Sequence, residues 1–196
     1  SIFLLVPKRS SEQRQPGPRS GIMRGLRAVT MNPQTWVCSV IGFGMASTML
    51  AFGGLWGVPW LNQVLGYTTT EAAGITSMLF VGWAIFSPFW GWLSDRIGRR
   101  NIIQQAGSAI VLGTLSILIY ATPGNTPLLM ILIFIIGTGG SAMTVCFGSV
   151  RELNDINYSS TSLGLMNMCI VGSGAVMQPL IGWLLDLGWS GELVNG

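Results

Sequence analysis

The chain has 196 residues, of which 49% are hydrophobic and only 9% are charged, and its formal net charge is +3. Soluble domains carry about 25% charged residues, so this composition excludes an ordinary water-soluble protein. Six of the ten basic residues lie before residue 28, which confines the basic character to an N-terminal segment. Because nucleic-acid binding needs a basic patch on a folded face, we expect no nucleic-acid partner.

The chain contains no histidine, and its cysteines, Cys38, Cys146 and Cys169, stand singly inside apolar runs. They lack metal-binding spacing, so we interpret them as small buried hydrophobic residues and expect no metal and no cofactor. A membrane-embedded enzyme is a less favoured alternative, because it would need a nucleophile with its base, or metal ligands, inside the membrane. No catalytic residue is assigned.

The N-terminal part of the chain changes character twice. Residues 1–7 are apolar and are interpreted as the end of a preceding transmembrane helix, because the basic residues follow them, the reverse of a signal peptide. Residues 8–33 form a basic cytoplasmic linker. Within it, residues 22–29 are compatible with a short amphipathic helix on the membrane surface or with disorder. Asn32 and Pro33 then supply a helix start, as N-cap and first helical residue.

Five long apolar runs follow the linker, and each has about the 20 residues that a helix needs to cross a bilayer. They cover residues 34–60, 72–92, 102–121, 127–149 and 162–187. None shows the alternation of a membrane β-strand. We therefore predict an all-α, polytopic membrane protein with a five-helix transmembrane bundle at 34–187 and an extracytoplasmic tail at 188–196.

The connections between the runs alternate in charge. Every lysine and arginine lies in the linker, in the loop after the second run or in the loop after the fourth run. If five helices cross, these three connections share one side of the membrane. By the positive-inside rule that side is the cytoplasm, and we expect a plasma (inner) membrane location.

The loop after the second run concentrates charge in one tight turn. Its marked positions are Gly91, Asp95, Arg96, Gly98, Arg99 and Arg100. The order Gly-x-x-x-Asp-Arg-x-Gly-Arg-Arg resembles the signature loop of the major facilitator superfamily of secondary transporters, and each signature position is matched. The resemblance implies a six-helix bundle of that family, which moves a small solute by alternating access as a symporter or antiporter. We call residues 91–100 the signature loop.

The chemistry of the signature loop points to more than anchoring. Gly98 permits a left-handed turn, and the arginines suit anionic headgroups, but anchoring alone does not explain Asp95. The resemblance places Arg151 and Glu152, at the end of the fourth run, beside the loop. We therefore predict that Asp95, Arg151 and Glu152 form a cytoplasmic gate latch whose pairing holds that side closed.

The resemblance also bears on which part of a transporter this is. The family has twelve helices in two repeats of six, joined by a long cytoplasmic linker. The apolar start and basic linker resemble the end of the sixth helix and that linker, so we interpret the chain as a C-terminal half without its last helix. Its missing N-terminal half is then a partner. A first half with a cytoplasmic tail, or a truncated fragment that inserts without transporting, are the alternatives.

The solute site is the least constrained feature. No run carries a charged residue in its interior, so a coupling proton or ion would bind elsewhere. The resemblance implies that the first and fourth runs line the central cavity. The candidates are Thr48, Phe52, Trp56, Thr138, Ser141 and Thr144, with Asn167 and Gln178 on the fifth run as weaker ones. For each, hydrogen bonding between helices is the competing interpretation. We also expect Pro179 to free a carbonyl near Ala175, for which Gln178 or water is a candidate partner.

Overall fold

The computed structural model describes residues 22–121 and 124–188. Those ranges contain no β-strand; they form one short helix, five long ones and a 3₁₀ turn at Ile156–Tyr158 before the last of them. The helices are α1 (Ile22–Thr30), α2 (Pro33–Leu65), α3 (Thr69–Ile97), α4 (Arg100–Ala121), α5 (Thr126–Leu153) and α6 (Ser159–Gly188). Helices α2 to α6 are long and apolar enough to cross a membrane. The all-α, polytopic membrane prediction is confirmed.

Three predicted segments fall wholly or mostly beyond the described residues. The end of a preceding helix at 1–7 and the linker before residue 22 lie outside them, as does the tail after residue 188. The part of the linker that is described forms α1, so helix rather than disorder occupies residues 22–30.

Local capping sets where two helices begin. The Asn32 side-chain oxygen accepts a hydrogen bond from the Gln34 N–H at 3.0 Å, so the predicted N-cap of α2 is confirmed. Helix α3 begins at Thr69, earlier than the predicted 72, because Thr68 and Glu71 form a capping box. Such caps contribute about 1 kcal/mol, which extends the helix beyond its apolar run.

Helix α5 lies at the centre of the bundle and contacts each of the other four long helices. Glycines bring its backbone against α3 and α4. A Cβ at Gly137 of α5 would overlap the Leu79 carbonyl of α3, and one at Gly107 of α4 would lie 2.8 Å from the Gly139 carbonyl of α5. In lipid, where apolar surface alone gives little drive for association, such close packing joins helices.

Helices α2 and α6 form a second closely packed pair. The segment Thr48–Trp56 of α2 is wound as a π-helix. There Trp56 Nε1 donates to the Gln178 carbonyl at 3.1 Å, and Gln178 Nε2 donates to the Leu50 carbonyl at 2.8 Å. Of the two partners predicted for the carbonyl freed near Ala175, the Gln178 amide is therefore engaged elsewhere, because the irregular winding of α2 offers it a carbonyl on the neighbouring helix.

Candidate functional site

The signature loop is a tight left-handed turn. Helix α3 ends at Ile97, and Gly98 adopts φ +67° and ψ +15°. Its N–H donates to the Ser94 carbonyl at 2.9 Å, which closes the helix end. Only glycine adopts this conformation without steric cost, so the predicted left-handed turn at Gly98 is confirmed. Because only two residues separate the helices, the turn places the start of α4 directly beside the end of α3.

Arg100, the first residue of α4, joins two carboxylates from two other helices. Its Nε donates to Glu152 Oε2 at 2.9 Å and its Nη2 to Glu152 Oε1 at 2.7 Å, a two-pronged contact. The same Nη2 donates to Asp95 Oδ1 at 3.1 Å. This cluster therefore ties together the ends of α3, α4 and α5. We call this side of the bundle the loop end.

The cluster is only partly shielded from water. The Arg100 side chain is 24% exposed, whereas those of Asp95 and Glu152 are 70% and 54% exposed. Exposed ion pairs are typically worth about 0.2–1 kcal/mol each. The two-pronged geometry strengthens the contact with Glu152. Such a cluster holds its helices in one arrangement but opens at modest cost.

A small cavity adjoins the cluster. The Arg100 guanidinium lies against Gly148 of α5, where an added Cβ would be 2.5 Å from Nη1 and 2.7 Å from Cζ. The cavity has a volume of about 280 Å³ and extends to the start of α6. It is lined by Arg100, Gly148, Arg151, Glu152, Ile156 and Ser159.

The predicted latch needs a different cation. Asp95 and Glu152 do come together, but the residue between them is Arg100, and Arg151 forms no ion pair among the described residues. Arg151 lines the same cavity as Glu152, but consecutive residues on a helix do not face the same way, and Arg151 pairs with neither Asp95 nor Glu152. Sequence reasoning missed the role of Arg100. A usable signal was Gln104, a polar residue in the third apolar run that lies one turn after Arg100 and so on the same face of α4. That face contacts α5, because Gln104 Nε2 donates to Ser149 Oγ at 2.8 Å.

The remaining signature residues lie outside this cluster. Arg96 and Arg99 are exposed, and the Arg96 Cζ lies 5.3 Å from the centre of the Trp92 ring. Arginines above an indole ring at a helix end suit the headgroup region, and their anchoring role stays a prediction. A Cβ at Gly91 would meet nothing within 4 Å, so packing does not require this glycine.

The predicted solute-contacting residues do not line the cavity at the loop end. The hydroxyls of Thr138, Ser141 and Thr144 each donate to a carbonyl three or four residues earlier in α5, at 3.1, 2.7 and 2.9 Å. The Thr138 carbonyl also accepts from Trp90 Nε1 of α3 at 2.7 Å. These contacts accompany a 3₁₀ turn at Ser141–Met143 that interrupts α5. The hydroxyls therefore have partners within the protein.

The candidates on α2 and α6 are more varied. Trp56 joins α2 to α6, and Phe52 packs in the core with its ring 6.1 Å from that of Trp60. Thr48 is half-buried at the start of the π-helical segment, and Asn167 is exposed on α6. Their contact with a solute stays a prediction.

Comparison with known proteins shows which family the chain resembles. The family model of the Major Facilitator Superfamily matches residues 1–153. Multidrug resistance protein MdtG of Proteus mirabilis is 33% identical over 111 residues, 56% of this chain and 26% of that protein. MdtG of Salmonella arizonae is 29% identical over 158 residues, 77% of this chain and 36% of that protein. The probable anion transporter 4, chloroplastic, of Oryza sativa subsp. japonica is 28% identical over 143 residues, which are 68% of this chain and 24% of that protein.

These relatives are longer than this chain, which spans about a quarter to a third of their length. No solved structure matches at the same level of significance. The family match nonetheless covers the signature loop, the end of α5 and four of the five long helices. This chain is an integral membrane protein and belongs to the Major Facilitator Superfamily.

Proposed function

We propose that the chain forms the C-terminal half of a secondary transporter that moves a small solute by alternating access. The observation that carries the proposal is Arg100, which holds Asp95 of the signature loop against Glu152 at the end of α5. This cluster, which we call the latch, would hold the loop end closed in one state of the cycle. Its position at a helix junction suits a two-state element.

The latch suits repeated opening because its energy is moderate. Two partly exposed ion pairs contribute on the order of 1 kcal/mol, which corresponds to roughly a fivefold change in an equilibrium. A fully buried cluster would cost several kcal/mol to break and would trap one state. Positive charge on this side supports a cytoplasmic position for the loop end under the positive-inside rule.

A multidrug-type solute is favoured over an anion by the interior of the described helices. They carry acidic and basic residues only near their ends, so no cation stands at mid-membrane to bind an anion in the described part of the chain. Four relatives are named multidrug resistance proteins, and one is named a probable anion transporter. Alternating access further requires a second bundle, the proposed N-terminal half, to complete the cavity.

The test uses the complete protein encoded by the reading frame, reconstituted into lipid vesicles. Ethidium flux probes the multidrug proposal and phosphate flux the anion alternative, each measured in both directions under an imposed pH gradient. We expect ethidium flux above that of protein-free vesicles. Phosphate flux without ethidium flux would mean that the solute is an anion and not a multidrug-type compound. Absence of flux for both probes would contradict transport of either class.

The latch is tested separately with Asp95→Asn and Glu152→Gln. Each removes the charge of one carboxylate while keeping the shape of the side chain, so we expect the two flux directions to change unequally, by up to about fivefold. Arg99→Gln is the matched control, since it removes an arginine of the same loop that has no carboxylate partner among the described residues. An Asp95→Asn protein with normal flux in both directions would contradict the latch while leaving transport intact.

A further inference from the structure

Helix α1 has three distinct faces. Gly25 and Val29 are buried against the rest of the protein. Next around the helix come exposed apolar side chains, with Ile22 86%, Met23 79% and Leu26 43% accessible. Beyond them, at a spacing of about 100° per residue, lie the exposed Arg24 and Arg27. An apolar strip beside a basic strip is typical of helices that lie in the surface of a bilayer.

The buried face fixes α1 to the bundle. A Cβ at Gly25 would lie 3.0 Å from the Tyr158 ring and 3.2 Å from Thr161 Oγ1, so the backbone of α1 rests on the start of α6. Val29 is fully buried. The apolar strip is therefore held in one orientation instead of rotating freely.

The chain continues from α1 directly into a membrane-spanning helix. Trp36, in the first turn of α2, is 45% exposed, and its Nε1 donates to the Thr30 carbonyl at 2.7 Å. Met31 between the two helices is 70% exposed. Since tryptophan favours the membrane interface, this bond places the end of α1 at headgroup depth.

We propose that α1 is an interfacial helix that binds anionic lipid. Ile22, Met23 and Leu26 enter the acyl region, while Arg24 and Arg27 contact lipid phosphates. Charge complementarity identifies the occupant, because two arginines without carboxylate partners among the described residues stand beside the apolar strip. A soluble partner would not explain a strip set at the depth where α2 enters the bilayer. The inference does not depend on the transport proposal.

The test reads membrane depth with a nitroxide label. Met23→Cys is labelled in the complete protein, reconstituted either in phosphatidylcholine alone or in phosphatidylcholine mixed with phosphatidylglycerol. Relaxation by oxygen reports the acyl region, and relaxation by a water-soluble nickel complex reports water. We expect oxygen to dominate at this position, more strongly in the vesicles that contain phosphatidylglycerol.

Ala28→Cys is the matched control, because residue 28 is exposed on the same helix but lies away from the apolar strip. Its label should respond mainly to the nickel complex, and the unsubstituted protein shows any labelling of native cysteines. With the Met23 label in place, Arg24→Gln together with Arg27→Gln should abolish the dependence on phosphatidylglycerol. Each arginine is expected to account for about a fivefold preference for the anionic surface.

Two results would overturn the proposal. If the label at position 23 relaxes with the nickel complex as strongly as the label at position 28 in both kinds of vesicle, α1 lies in water. If the label at position 23 is shielded from both agents, a protein surface covers the strip instead of lipid.

Discussion

At the scale of single residues, Gly148 matters because of what touches it. The Arg100 guanidinium occupies the space that a side chain at this position would fill. The guanidinium is the end of a long flexible chain, so it can move aside without disturbing the helices. We therefore expect the size of the side chain at position 148 to affect the latch, although glycine carries no charge.

Gly148→Ala is therefore expected to displace the guanidinium and reproduce the unequal fluxes of Glu152→Gln. Stability should change by less than about 0.5 kcal/mol, as for most substitutions outside the core. Vesicle flux and thermal unfolding in detergent measure the two effects. Gly164→Ala is the control, because an added Cβ there meets nothing within 4 Å. If the Gly148 and Gly164 variants gave the same fluxes, the position of the Arg100 guanidinium would have no effect on transport.

The sequence was sufficient for some of these residues and not for others. The left-handed turn at Gly98 follows from glycine's freedom at positive φ, and the proximity of Asp95 to Glu152 followed from the family resemblance. The identity of the cation did not follow, because it depends on which way each side chain leaves its helix. Arg100 leaves α4 toward α5 and reaches Glu152 there, whereas Arg151 is the residue next to Glu152 on α5 itself.

At the scale of helices, the glycine contacts of α5 decide the packing. Gly137→Ala would force its new methyl group into the Leu79 carbonyl of α3, and backbone cannot move as cheaply as a side chain. We expect a loss of about 1–3 kcal/mol in stability, the usual cost of overpacking. Thermal unfolding in detergent measures it.

Gly113→Ala is the matched control for that loss, since it adds a methyl group on α4 with no atom within 4 Å. Its stability should equal or slightly exceed that of the unsubstituted protein, because alanine favours the helix. Equal stability of the Gly137 and Gly113 variants would mean that α3 and α5 are not in backbone contact.

A second prediction at the scale of helices concerns the hydrogen bonds between the π-helical segment of α2 and α6. Gln178→Leu removes the donor to the Leu50 carbonyl, and Trp56→Phe removes the donor to the Gln178 carbonyl. Each loss should cost about 1 kcal/mol or less, as measured for hydrogen bonds between membrane helices. The double variant should cost less than the sum if the two bonds support each other. Strict additivity in a thermal-unfolding cycle would show that they act independently.

Apolar run length predicted the existence of these helices but not their irregular winding. Hydropathy reports which residues avoid water, and every backbone group in a spanning helix must also find a partner. In the π segment of α2, the Leu50 carbonyl accepts from Gln178 of α6. Just before the 3₁₀ turn of α5, the Thr138 carbonyl accepts from Trp90 of α3. Such partners are distant in sequence, so the winding was not predictable from either run alone.

At the scale of the whole molecule, the sidedness of the loop end is open to direct measurement. A cysteine in place of the exposed Arg99 should react with a membrane-impermeant maleimide only after cells are permeabilised. A cysteine in place of the exposed Asn125, at the opposite end of the bundle, should react in intact cells. The reverse pattern would place the loop end outside and contradict the positive-inside assignment.

The number of spanning helices was predictable, whereas their arrangement was not. Composition and run length give five spans, because few other folds tolerate such apolar segments. The central position of α5 depends on glycines of three different helices meeting one another, which no periodicity in a single helix reports.

The glycine contacts also limit what the latch can do. Helices α3, α4 and α5 touch through their backbones, so they should move as one rigid block, while α2 and α6 meet through side chains that can repack. All three latch residues belong to the rigid block. Opening the latch would therefore leave those three helices packed against one another. What it can release is the short turn between α3 and α4 and the surface facing the start of α6, so we expect the latch to act on the state of the loop end through that surface and not through a hinge inside the block.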